Sequence, residues 1–220
     1  TNEVWKNNPT FPGVAAASVL VVGGGVVGSN AIRMALGLEA QVTVLDKSIA
    51  RLKELDRQFG GKLNTIFSTQ DALEKYIPLA DILVGAVLVP GAEAPKILTR
   101  DLLRKMRSGS VVVDVAIDQG GCFATSRPTT HTHPTYLVDD IVHYCVSNMP
   151  GAVPRTSTFA LTQATLPYIL ALANKGIDRA LAEDVHLRNG LNISRGHITH
   201  QAVASVFDKP YVSAREVLSA

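Results

Sequence analysis

The segment "VVGGGVVG" places Gly23, Gly25 and Gly28 in GxGxxG spacing, directly after a strand-like apolar run and directly before a helical one. In that setting the first glycine permits a tight turn, the second lets a diphosphate approach the backbone, and the third lets helix and strand pack closely. Amides at the helix N-terminus then face the negative phosphates. Such spacing is a weak signal by itself, because a flexible turn would share it. The next strand-like run, "QVTVLD", ends in Asp46, eighteen residues after Gly28, where a carboxylate can accept the ribose hydroxyls of NAD. Asp46 would repel the 2′-phosphate of NADP, although Lys47 and Arg51 stand nearby. The outer glycines also fit a phosphate-loop ATPase, yet Ser29 stands where that motif requires Lys. The residues therefore predict NAD as the cofactor.

A second stretch, "VVVDVAIDQGGC" from Val111 to Cys122, offers Asp114 among valines and Asp118 four residues later. Ligands of open parallel sheets bind beyond the carboxyl ends of the strands. Asp114 lies inside its predicted strand and reads as a structural carboxylate, since a buried one must find hydrogen-bond donors. Asp118 lies at the strand's end before Gly120 and Gly121, where it can handle a proton or orient a substrate; turn capping fits that position equally. Other predicted strand ends bring Ser68, Val87, Leu88 and "VSNMPG" to the same edge. His131 and His133 have the spacing of a weak metal pair, but no further ligand is near, so no metal site is predicted. His143 reads as a packed strand histidine. Cys122 and Cys145 show no CxxC spacing and read as reduced core thiols.

The elements that must position these residues follow from periodicity. Strands at "SVLVV", "QVTVLD", "LNTIFS", "DILVGAVL" and "SVVVDVAI" alternate with helices at "VVGSNAIRMALGLEA" and "KSIARLKELDRQFG" and at 70 to 77 and 98 to 106. Alternation of this length predicts an α/β fold, a Rossmann-type doubly wound parallel sheet covered by helices on both faces. "RPTTHTHPTY" reads as a loop and "IVHYCVS" as a last strand. Residues 1–14 read as a linker or truncated start, 15–150 as the NAD-binding domain, and 151–220 as a helical C-terminal segment. In that segment a long apolar helix is expected from a Thr156 or Ser157 cap, with a kink at Pro167 and an end at Gly176. Its narrow polar face predicts packing against another domain or subunit. A hairpin is expected at Arg195 and Gly196, and the last ten residues read as a loose tail.

Composition excludes several classes. The chain has 220 residues, 46% of them hydrophobic, and its 21 basic and 19 acidic residues are scattered rather than blocked, so no nucleic-acid stripe is expected. Neither a spanning segment nor a signal peptide is visible, which predicts a cytoplasmic protein without a membrane partner.

"VVGGGVVGSNA", "GAVLVPGAEAPK", "VVVDVAIDQGGCFATSRPTTHTHPTY" and "VHYCVSNMPGAVPRTSTFALTQATLPY" resemble the cofactor domain and following helix of the L-alanine dehydrogenase family, in order and spacing, over about residues 12 to 207. The related transhydrogenase alpha subunit shares the fold, but "AIDQGGC" and "NMPGAVPRTST" resemble the dehydrogenase pattern. The resemblance implies reversible oxidative deamination of L-alanine to pyruvate and ammonium, a step of L-alanine catabolism, by a homo-oligomer that is a hexamer in the family. It implies that Val26 and Val27 meet the pyrophosphate, Asp46 and Arg51 the adenosine ribose region, and Ser68 the adenine side. Val87 and Leu88, then Val115, Ala116, Ile117 and Asp118, then Arg127, then Val146, Ser147, Asn148 and Met149 would line the remainder of the cofactor site. Asp118 matches the family's catalytic aspartate. Arg51 stands where many members carry Lys, which keeps the charge and changes its reach. The family's N-terminal domain, with the Arg, Lys and His of the substrate site, is not found before Thr1. Two further readings follow: a non-catalytic NAD-binding or assembly module, and one component of a multi-chain transhydrogenase-like enzyme.

Overall fold

The computed structural model describes residues 13–87 and 96–219, and the chain divides into two compact units between Met149 and Pro150. The first unit runs β1 (Ser18–Val22), α1 (Val26–Gly37), β2 (Gln41–Asp46), α2 (Ile49–Phe59), β3 (Leu63–Phe67), α3 (Gln70–Tyr76), β4 (Ile82–Gly85), α4 (Arg100–Leu103), β5 (Val111–Asp114), β6 (Thr135–Val138) and β7 (Ile141–Tyr144). These strands form one seven-stranded sheet in the order β3-β2-β1-β4-β5-β7-β6. All neighbours are parallel except β6 and β7, which are antiparallel. The order reverses between β1 and β4, and the crevice beyond their carboxyl ends is where such sheets take ligands.

Strand β1 shows why the sheet is buried on both sides. Its side chains alternate, so Leu20 and Val22 enter one apolar cluster with Leu45, Leu83 and Val112, while Val19 and Val21 enter another with Val42, Val44 and Ile32. A strand wetted on neither face has no place for polar alternation, which explains the unbroken apolar run. Ser48 caps α2 by accepting the Arg51 amide. Leu52 and Leu55 bury that helix's inner face, and Gly60, at φ 59°, ends it.

The structure corrects several expectations. The run "SVVVDVAI" stops being a strand at Asp114, because the Asp114 side chain accepts the Ala116 amide and turns Val115–Gln119 into a 3-10 helix. The loop predicted at "RPTTHTHPTY" contains the start of β6, which returns through a tight turn at Asp139 and Asp140, both at positive φ, to pair with β7. Arg100 and Arg104 donate to Asp139 and hold its carboxyl well below the usual range.

The second unit contains α5 (Pro154–Lys175), α6 (Ile177–Glu183), α7 (Val185–Asn189), β8 (Ile193–Ser194), β9 (His197–Ile198), α8 (Gln201–Val206) and α9 (Ala214–Ser219). The start of α5 differs from expectation. Pro154 opens it, where a missing N–H costs nothing, and Ser157 donates to the Pro150 carbonyl instead of capping. Gly176 ends α5 and the Arg195–Gly196 hairpin forms, as expected. The tail is ordered as α9, whose amide at Glu216 donates to Ser213 Oγ while the Glu216 carboxylate accepts the Ser213 amide, a capping box. Helix α5 has no buried residue and exposes Phe159, Leu161, Ile169 and Leu170.

Candidate functional site

The chain leaves β1 through Gly23, whose φ of 98° disfavours any L side chain and whose Cβ would lie 2.6 Å from the Ala86 carbonyl oxygen. A Cβ at Gly28 would run into the Gly23 carbonyl oxygen, whereas one at Gly25 would meet open space. Gly23 and Gly28 therefore let the turn close and the helix dock, and Gly25 stays open. Helix α1 starts at Val26 with no side-chain cap at Gly25 and no acidic residue in its first turn. Its leading amides have no partner within the helix and point positive dipole ends outward, which fits a diphosphate.

These residues line a cleft of about 540 Å³ formed by Val22, Gly23, Gly25, Val26, Val27, Leu45, Asp46, Lys47, Ser68, Ala86, Val87 and Ile97. The cleft unites the sequence-derived Gly23, Gly25, Val26, Val27, Asp46, Ser68 and Val87. Sequence reasoning missed Val22, Leu45, Lys47, Ala86 and Ile97 as lining residues; apolar strand ends, an alanine after a strand and an isolated isoleucine carry no motif. Leu88 lies outside the described residues.

Asp46 sits at the carboxyl end of β2, half-buried, with one oxygen accepting the Gly24 amide and the other the Ser48 amide, both at 2.7 Å. Each carboxyl oxygen has further acceptor capacity, so the group can brace the glycine turn and still receive ribose hydroxyls. Arg51 braces the turn from the other side. Its Nε donates to the Gly24 carbonyl at 2.6 Å, one terminal nitrogen to Ser29 Oγ, and the other to Glu54 at 2.7 Å. Arg51 lies outside the cleft lining, and its charge is matched by Glu54.

Beyond β5 a different apparatus operates. Asp114 is fully buried and accepts from the amides of Ala116, Cys122 and Phe123, from Ser126 Oγ and from Cys122 Sγ. The structural role expected of Asp114 is the one observed. Gly121, at φ 77°, passes so close that its Cβ would lie 2.6 Å from an Asp114 oxygen. Lys96 donates to the Gly120 carbonyl. On this platform Asp118 stands exposed, and its carboxylate has no hydrogen-bond partner among the described residues. Ala116 and Ile117 turn their side chains into the core, at 5% and 4% exposure, so only their backbone can meet a ligand. The same holds for Val146, at 1%, while Ser147 and Asn148 are exposed and Met149 is half-buried.

Arg127 follows at the same edge. Its amide donates to Tyr136 Oη at 2.9 Å, and that hydroxyl donates to the Thr125 carbonyl at 3.0 Å. Burial, and then the bond with the Cys145 thiol, push the Tyr136 phenol up, so it remains a donor. His143 is buried, which pushes its pKa down and favours the neutral ring. The ring's Nδ1 faces the Ile141 carbonyl at 3.0 Å and must be the donor, leaving Nε2 to accept from Thr125 Oγ1 at 2.7 Å. Cys122 and Cys145 are buried and free, as expected. His131 reaches the Asn148 carbonyl at 2.6 Å.

The family model described as "Alanine dehydrogenase/PNT, C-terminal domain" matches residues 7–201. An alanine dehydrogenase of Halomonas elongata is 62% identical over 210 residues, covering 96% of this chain and 57% of that protein. One from Mycolicibacterium smegmatis is 51% identical, covering 94% and 56% respectively. A solved L-alanine dehydrogenase superposes with a TM-score of 0.87 at 45% identity, covering 94% of this chain and 59% of that one. The chain thus spans somewhat more than half the length of these relatives. Among the described residues no helix is long and apolar enough to cross a membrane.

Proposed function

Because the chain belongs to the alanine dehydrogenase/PNT C-terminal domain family, a family of pyridine-nucleotide oxidoreductases, we propose that it binds NAD and supplies the cofactor half of an L-alanine dehydrogenase. In this reading the activity is the reversible oxidative deamination of L-alanine to pyruvate and ammonium, carried by a cytoplasmic homo-oligomer. The observation that supports it best is the cleft at the sheet's switch point, where uncapped amides of α1 and the Asp46 carboxylate face the same space. When bound, the nicotinamide supplies the acceptor for the hydride leaving the substrate's α carbon.

The chain's own residues divide the remaining work. Val26 and Val27 offer amides to the diphosphate, and Asp46 accepts from the ribose and disfavours a 2′-phosphate by like charge. Asp118 is exposed at the end of the β5 turn, and in this reading it accepts or orients a proton on the substrate side. Ser147 and Asn148, beyond β7, present exposed polar groups at the same edge. The exposed apolar side chains of α5 favour a covered position in an oligomer.

NADH fluorescence titration of the chain tests the cofactor assignment. Asp46→Ala should weaken NADH binding by about 1 to 3 kcal/mol, the range for hydrogen bonds to a charged group. An unchanged affinity removes Asp46 from the site. NADH formation from L-alanine, followed in the same preparation, tests turnover separately from binding.

A further inference from the structure

Two arginines follow strands of the sheet, Arg51 after β2 and Arg127 after β5, both outside the cleft lining, and their surroundings differ. Arg51 is matched by Glu54 and spends its nitrogens on the glycine turn. Arg127 is exposed and has no carboxylate partner among the described residues; its guanidinium instead lies over the Tyr136 ring, 4.0 Å from the centroid. A ring face attracts a guanidinium without cancelling its formal charge. The same tyrosine also receives the Arg127 amide, so one residue holds both the backbone and the side chain of Arg127.

Tyr136 is itself fixed from several directions. It pairs in register with His143 across β6 and β7, and the two rings stack with centroids 5.0 Å apart at 26°. Thr125 closes the circuit, bonded through its carbonyl to Tyr136 and through its hydroxyl to His143. Free in solution, an arginine side chain samples many rotamers, and a ligand would have to overcome that entropy on binding. Ordering the side chain in advance removes part of that cost.

We infer that Tyr136 is a positioning residue of the cofactor site, holding Arg127 in a preordered, uncompensated cationic state for an anionic group of the dinucleotide. The inference rests on the reading that Arg127 faces the cofactor. The β6–β7 hairpin then serves the site without touching the ligand, through a ring face and a phenol.

A double-mutant cycle read by NADH fluorescence tests this, with thermal unfolding measured on each variant. Arg127→Ala should weaken NADH binding about tenfold or more, and Tyr136→Leu about tenfold. Tyr136→Phe keeps the ring and should lose at most about threefold. The combined Arg127→Ala and Tyr136→Leu variant should bind no more weakly than Arg127→Ala alone, because groups acting through one another are not additive. Full additivity overturns the inference, and so does an unchanged affinity in Tyr136→Leu beside a weakened Arg127→Ala. An unchanged affinity in Arg127→Ala overturns the placement of Arg127 at the cofactor, and the inference with it. If Tyr136→Leu does not fold, Tyr136→Met, which also removes the ring face under Arg127, takes its place in the same cycle with the same expected and overturning outcomes.

Discussion

The turn after β1 and the turn after β5 leave parallel strands at the same edge of the sheet, yet they are held by different means. The first is made of absence: Gly23 and Gly28 have no side chain because a carbonyl oxygen occupies the space where each Cβ would be. Its polar braces, Asp46 and Arg51, sit at its rim. The second is made of presence: a fully buried Asp114 gathers three amides, a hydroxyl and a thiol beneath the loop. The first turn bonds its own Gly23 and Gly24 amides and leaves the leading amides of α1 uncapped, and the second spends its amides internally so that Asp118 can project. A backbone that must bind and a backbone that must carry a projecting side chain call for these opposite constructions.

The largest effect should come from removing the buried hub. Asp114→Ala strands the amides of Ala116, Cys122 and Phe123 and the Ser126 hydroxyl, and urea unfolding should show a loss of about 3 to 5 kcal/mol. A loss under about 1 kcal/mol would mean the β5 turn holds itself without its carboxylate, and the contrast would fail. Gly28→Ala comes next. Its methyl group must displace backbone, so about 2 to 3 kcal/mol of stability should go, together with most NADH affinity in a fluorescence titration. Retained affinity would show that the β1 turn tolerates filling.

The smallest effect concerns His143, and its direction follows from burial. The folded ring has a pKa below the ordinary 6.5, so as pH falls through that value the unfolded chain takes up a proton that the folded chain refuses. The His143 contribution is complete above the unfolded pKa and is lost as pH falls toward the folded one. Subtracting the urea-unfolding stability of a His143→Gln variant from that of the parent, between about pH 7.5 and 5, should give a difference that declines with acid. A flat difference would place the ring in contact with solvent.

What the sequence made legible divides along the same line. The β1 turn was readable because glycine at a forced position is itself the signal, and Asp46 ends a clean apolar strand. The β5 turn was not, because "VVVDVAI" continues an apolar pattern past the strand's end and nothing periodic marks a side chain that caps its own backbone. Strand β6 was hidden behind a Pro- and Thr-rich run, and its four residues are only exposed or half-buried, so no core face announced it. Tyr136 could not be tied to Arg127 from sequence, since their contact depends on the hairpin register and on ring orientation. Helix α9 was a missed signal: Ser213 and Glu216 stand in capping-box spacing and were readable as such.

The hub beneath the β5 turn also sets the redox temperament of the chain. Cys122 hangs on Asp114 with its thiol pushed up, first by burial and then by the carboxylate beside it, and Cys145 is equally enclosed. Only a thiolate attacks alkylating reagents and oxidants, so Cys122 is chemically mute while the loop is shut. Each opening of that loop is a moment when the sulfur can be marked, which gives the fold an internal clock for how often its Asp118 platform comes apart.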